Sequence, residues 1–139
     1  MRCALPTVLG LLTLAAPLAS QAKPGHVYGI SYYQALPGKG AAYNKALTEV
    51  VFPVLDEMVK RKTLVSYLSL NQVAGSGEYS HAFLLEFSDW AAFGTYEAKR
   101  NEATQAVHHK AWSEAIAGFP DLRRAIRSET YQPVGNSHD

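Results

Sequence analysis

The 139-residue chain contains a single cysteine, Cys3. A lone thiol closes no internal disulfide and builds no thiolate cluster, which excludes a disulfide scaffold and a cysteine-held zinc or iron–sulfur site. Charge surplus is missing too: 13 Lys+Arg stand against 12 Asp+Glu, a net +1. Nucleic-acid binders normally carry a strong basic excess, so no nucleic-acid partner is expected. There is no GxGxxG and no phosphate loop, which argues against a nucleotide cofactor. HExxH, HxxxH and GxSxG are absent as well, leaving no helical zinc pair and no nucleophile elbow. Apolar residues, by contrast, make up 47% of the chain, ample for one folded core.

The apolar residues are unevenly placed. Arg2 supplies a positive start, residues 4–19 carry no charge, and Ser20-Gln21-Ala22 puts small residues before Lys23-Pro24-Gly25. That order is expected of a secretory signal peptide over residues 1–22, cut after Ala22 or, alternatively, after Ala19. The run is shorter than the roughly 20 residues of a comfortable membrane span, and Pro6 and Pro17 interrupt it. The expectation is export to the periplasm or extracellular space, with no stable membrane insertion after cleavage. Cleavage would remove Cys3 and Arg2, leaving 117 residues, balanced charge and all the aromatics.

The remainder reads as one domain, residues 23–134, with a flexible tail at 135–139. Residues 26–35 are rich in Val, Ile and Tyr and predict a strand. A Pro-Gly-Lys-Gly turn follows. Over residues 41–62, Tyr43, Leu47, Val50, Val54 and Met58 recur at three and four, predicting a helix that either bends at Pro53 or starts anew there. Residues 64–74 and 80–87 alternate and predict a hairpin. Ser88-Asp89 is an N-cap signal for a second helical stretch over residues 90–117, with a break near Asn101. Residues 126–134 predict a fourth strand after a turn at 121–125. The order βαββαβ predicts an α+β, ferredoxin-like domain: a four-stranded antiparallel sheet with two helices on one face.

The other face then needs cover. In the first strand Tyr28, Ile30 and Tyr32 share one side and Val27, Ser31 and Tyr33 the other; in the second, Leu64, Leu68 and Leu70 stand against Val65, Tyr67, Ser69 and Asn71; in the third, Phe83, Leu85 and Phe87 stand against Ala82, Leu84 and Glu86, so neither face is cleanly polar. A sheet with one solvated face alternates more sharply than this. A second copy of the chain is the simplest cover, so a homodimer joined sheet to sheet is expected.

The run YYQALPGKGAAYNKALTEVVFPVLDEMVKR, with the later FLLEFSDWAAF, resembles proteins of the dimeric α+β barrel superfamily. Its members include antibiotic-biosynthesis-monooxygenase-like, stress-responsive and haem-degrading proteins, decarboxylases and uncharacterised exported proteins. The resemblance implies the fold and a pocket between sheet and helices or between two sheets. It transfers no catalytic set, since the subfamilies place different residues in the pocket.

Glu86 is the first candidate for chemistry. A carboxylate among Leu84, Leu85 and Phe87 is either desolvated with a raised pKa or paired, and the former would make it a base. His108 is the second: it stands four residues before Trp112, so the two rings can share one helix face as a pocket group. His108 and His109 point about 100° apart and cannot share a metal, and no metal is expected. Tyr32, Tyr67 and Tyr131 can present phenols to one cavity, with Asn71 and Trp112 as further ligand contacts; His81 and Asn71 lie near strand ends. The leading expectation is a binder of a small apolar or aromatic molecule with no cofactor. The competing ones are a cofactor-independent monooxygenase, isomerase or decarboxylase, a haem protein using His108, and a structural dimer with a filled interior.

Overall fold

The computed structural model describes residues 25–75 and 77–134. The expected signal peptide and C-terminal tail lie outside the described residues. The elements follow the order β1 (Val27–Ala35), α1 (Gly40–Ala46), a π-helical turn (Leu47–Val51), α2 (Phe52–Lys60), β2 (Ser66–Asn71) and β3 (His81–Phe87). Then come α3 (Trp90–Gly94), α4 (Tyr96–His108), α5 (Trp112–Ala115), a 3₁₀ turn (Phe119–Asp121) and β4 (Arg123–Tyr131). The sheet is antiparallel in the order β2-β3-β1-β4, the ferredoxin-like arrangement. No helix among the described residues is long and apolar enough to cross a membrane.

The first helix departs from the α pattern at Pro53. Proline has no N–H to donate and its ring crowds the carbonyl four residues back. The chain widens instead: the Phe52 N–H reaches the Leu47 carbonyl, and α2 starts with Pro53 in its first turn. The stripe still works, because Tyr43, Leu47, Val51, Val54, Leu55 and Met58 are all buried. Burial of each large apolar side chain contributes about 1.5–3 kcal/mol.

The second helical stretch is three pieces. Asp89 caps α3 as expected, accepting the Ala92 N–H at 2.8 Å. The break expected near Asn101 does not occur. α4 runs through Asn101 and ends at His109, which adopts φ 56°. Asn101 instead receives the Trp112 N–H at 3.0 Å and fastens the start of α5.

The strand ends also differ from expectation. Leu64 does not share a strand face with Leu68 and Leu70; it is 1% exposed within the core, and β2 begins two residues later. β4 starts at Arg123, three residues earlier than expected, because the 3₁₀ turn hands the chain straight into the ladder. Opposite Tyr32 and Tyr33 the register jumps from Arg127 to Ala125, so Ile126 is an extra, bulged residue. A bulge re-aims the side chains on either side of it. Arg127, Glu129 and Tyr131 therefore follow Tyr32, Ile30 and Tyr28 onto the open face, whereas Arg123 follows Ala35 beneath the helices.

The core lies between that covered face and the helices. Val27, Phe83 and Phe87 from the sheet meet Leu47, Val54, Met58, Ala103 and Phe119. Phe87 sits edge-on to Phe93 and Tyr96, at 5.2 and 5.4 Å between ring centres, a favoured aromatic geometry. Nothing in the described chain covers the open face, where Leu68 and Leu70 stay 49% and 48% exposed.

Candidate functional site

Glu86 lies on the open face, opposite Tyr28 of β1 and Ser66 of β2. Its carboxylate accepts from Ser66 Oγ at 2.5 Å, lies 2.8 Å from His26 Nδ1, and accepts from the Tyr28 hydroxyl at 3.1 Å. Burial pulls its pKa upward, but the hydrogen bonds from Ser66, His26 and Tyr28 outweigh it and hold the carboxyl below its ordinary value. The raised-pKa alternative is thereby corrected: this carboxylate is paired, and pairing of this kind makes a poor base. Tyr131 is on the same face and donates to Glu129 at 2.7 Å, which raises its pKa. Tyr32 sits edge-on to Tyr79 at 4.8 Å, beneath the Arg127 guanidinium at 4.3 Å. Together with Leu70 and Asn71 it lines an open hollow of about 340 Å³.

Tyr67 does not share a cavity with Tyr32 and Tyr131. It pairs with Leu85 on the covered face and donates to Asp56 at 2.7 Å. Burial, then that bond, push its pKa up to about 12. With Asn71 and Phe52 it lines a groove of about 580 Å³ at the β2 edge.

His108 and Trp112 are not on one continuous helix, since α4 ends between them. A carbonyl can only accept, so His108 Nε2, 2.9 Å from the Val50 carbonyl in the π-helical turn, carries the proton. That bond braces α4 against the first helix. His81 is 4% exposed and bridges Ser80 Oγ at 2.7 Å and Asn44 Oδ1 at 2.8 Å. Burial lowers its pKa. The Asn44 carbonyl accepts from Nε2, so Nδ1 accepts the Ser80 hydroxyl. Ser80 in turn receives the Ala35 N–H at 2.8 Å, so this chain of bonds ties β1, β3 and α1 together.

Among these expected residues, only Trp112 lines the cleft between the sheet and the helices, a space of about 60 Å³. Its walls are aromatic: Tyr33 from β1, Tyr43 from α1, Tyr96 from α4, Trp112 from α5 and Phe119 from the 3₁₀ turn. Two cations enter it. Arg123 lies 3.7 Å from the Tyr33 ring centre, with Phe119 and Tyr43 at 5.5 and 5.7 Å. Arg100 lies over Trp112 at 4.6 Å and over Tyr96, one turn back on α4, at 4.9 Å. Burial raises the pKa of Tyr43 and of Tyr96, and Arg123 and Arg100 respectively oppose it, so both phenols stay protonated at neutral pH. The residues lining the cleft include no carboxylate and no imidazole.

Sequence reasoning missed both arginines. Arg100 has the spacing of a solvated helix residue, and Arg123 was expected in a turn. The nearest signal is the Tyr96–Arg100 separation of four, which stacks side chains on a helix; the bulge that turns Arg123 inward has no local signature.

No protein-family model and no curated protein matches the sequence. Solved structures do resemble it in fold. HapK from Hahella chejuensis superposes with a TM-score of 0.56 at 12% identity, over 81% of this chain and 97% of that one. A dimeric protein of unknown function and ferredoxin-like fold from Bacteroides fragilis gives 0.55 at 9% identity, covering 78% and 97%. SnoaB, a cofactor-independent oxygenase from Streptomyces nogalater, gives 0.53 at 10% identity, covering 83% and 99%. The expected ferredoxin-like fold is thus found in the structure; identities this low speak for fold alone.

Proposed function

We propose that this protein is an exported homodimer that binds a small aromatic molecule in the cleft between sheet and helices. The observation that carries the reading is the convergence of Tyr33, Tyr43, Tyr96, Trp112 and Phe119, drawn from five separate elements, on one cleft. Flat aromatic walls with a few polar groups are the usual makeup of a small-molecule site. The lining offers contact area and positive charge but no ordinary acid or base, which supports binding over acid–base catalysis. Glu86, on the other side of the sheet, has no route to a ligand held there.

The cleft itself is narrow, about 60 Å³. Phe119 and Arg123 also line an outer groove of about 600 Å³ with Ile116, Pro120 and Ala125. A ring-sized ligand therefore places its head inside and its body in that groove. Export is supported by the charge-free run at residues 4–19, and the homodimer by the apolar open face. A thermal-shift screen against aromatic metabolites tests the binding reading. A ligand at 100 times its Kd should stabilise the protein by about 2.7 kcal/mol, and Trp112→Ala should weaken that shift. A screen in which no aromatic compound moves the wild-type midpoint overturns it.

A further inference from the structure

Arg100 and Arg123 each bury a guanidinium Nε with no hydrogen-bond partner among the described residues. Native proteins pair nearly all such donors, and a buried cation without a counter-charge is costly. Glu97 and Tyr96 engage only the terminal nitrogens of Arg100. The Arg123 side chain makes no hydrogen bond and no ion pair among the described residues; it lies against the rings of Tyr33, Phe119 and Tyr43. Both side chains line the one cleft.

We infer that the ligand of this cleft is an aromatic carboxylate whose carboxylate group sits between Arg100 and Arg123. The inference rests on the binding reading of the same cleft and names the class of ligand it takes. A carboxylate has two oxygens and about four lone-pair directions, enough to accept from the terminal nitrogens of both arginines. The inner space of about 60 Å³ has the size of such a head group. The walls select a flat body. Tyr33 and Trp112 already hold a guanidinium over their rings, and an arene attached to the carboxylate leaves between Phe119 and Arg123 into the outer groove. Cation–π attraction holds both guanidinium groups against the aromatic walls of the cleft. Charge in the cleft thus fixes which end of the ligand enters.

Isothermal titration of the purified chain with benzoate, benzamide and butyrate separates the outcomes. Benzoate should bind about tenfold or more tightly than benzamide, its neutral isostere. Arg123→Met should lose most of the benzoate affinity and reduce that for benzamide far less, with native near-UV circular dichroism. Arg123→Lys, which keeps the charge but not the fork, should recover part of it. Equal affinity for benzoate and benzamide overturns the carboxylate assignment and leaves the aromatic reading standing. Butyrate binding as well as benzoate, with benzamide silent, keeps the carboxylate and overturns the aromatic reading. No heat from any of the three overturns both.

Discussion

The two faces of the sheet treat buried charge in opposite ways. On the open face, Glu86 is 6% exposed and both oxygens of its carboxylate have partners, Ser66 on one and His26 and Tyr28 on the other. On the covered face, Arg100 and Arg123 reach into a cleft and leave buried Nε donors unmet. The first cluster is complete within the chain, so it stabilises the fold and has nothing left to offer a substrate. The second is incomplete within the chain, which is the condition of a binding site. A buried ionisable residue marks function only when its partners are missing, and that depends on the neighbours rather than on the residue.

The faces differ most in what covers them. Helices cover one, and a second copy is proposed for the other. Leu68→Lys, placing a charge on the open face, should convert a dimer to a single-chain mass in light scattering, with circular dichroism unchanged. A wild-type monomer at micromolar concentration would remove the dimer outright.

Next comes the contrast between the two charge clusters. Glu86→Ala leaves donors of His26, Tyr28 and Ser66 without their acceptor and should cost about 2–3 kcal/mol in urea unfolding. Arg123→Met removes a cation with no protein counter-charge, so its effect should stay within about 1 kcal/mol, the scale of a single cation–π attraction. Equal destabilisation in the two variants would erase the distinction between a finished cluster and an unfinished one.

The smallest effect is in the pH dependence. Burial depresses the pKa of His81 below its usual 6.5, so the unfolded chain binds the extra proton first. Stability contributed by neutral His81 is therefore full above about pH 6.5 and falls as pH drops toward the folded value. Glu86, held below 4.5 in the fold, keeps its contribution until the pH passes under 4.5 and loses it through the folded value. The urea midpoint should fall modestly between pH 7.5 and pH 5.5, and His81→Gln should flatten that step while leaving the loss below pH 4.5. An unchanged step in the variant would assign it elsewhere.

Much of the fold is legible in the sequence because it rests on short-range regularities. The spacing of Tyr43, Leu47, Val54 and Met58 marks a helix face, Asp89 marks a cap, and the alternation through Phe83, Leu85 and Phe87 marks a strand. Pro53 signals a disturbed helix, though not that a widened turn absorbs it. The site is far less legible. Glu86 stands out as a carboxylate among apolar neighbours, yet its three partners come from residues up to 60 positions away. His108 and Trp112 have the spacing of one helix face, whereas His109 in a left-handed conformation separates them.

Periodicity and turn residues act within a few positions, and they suffice for the order of the elements, the single core and an uncovered sheet face. The place of the cleft comes from packing instead. One bulged residue, Ile126, rotates Arg123 away from the side that Arg127 occupies and brings it beneath the helices, over Tyr33 and into the cleft that Arg100 enters from α4. A bulge is set by how two distant strands pair, and strand pairing is a property of the packed molecule rather than of any segment within it.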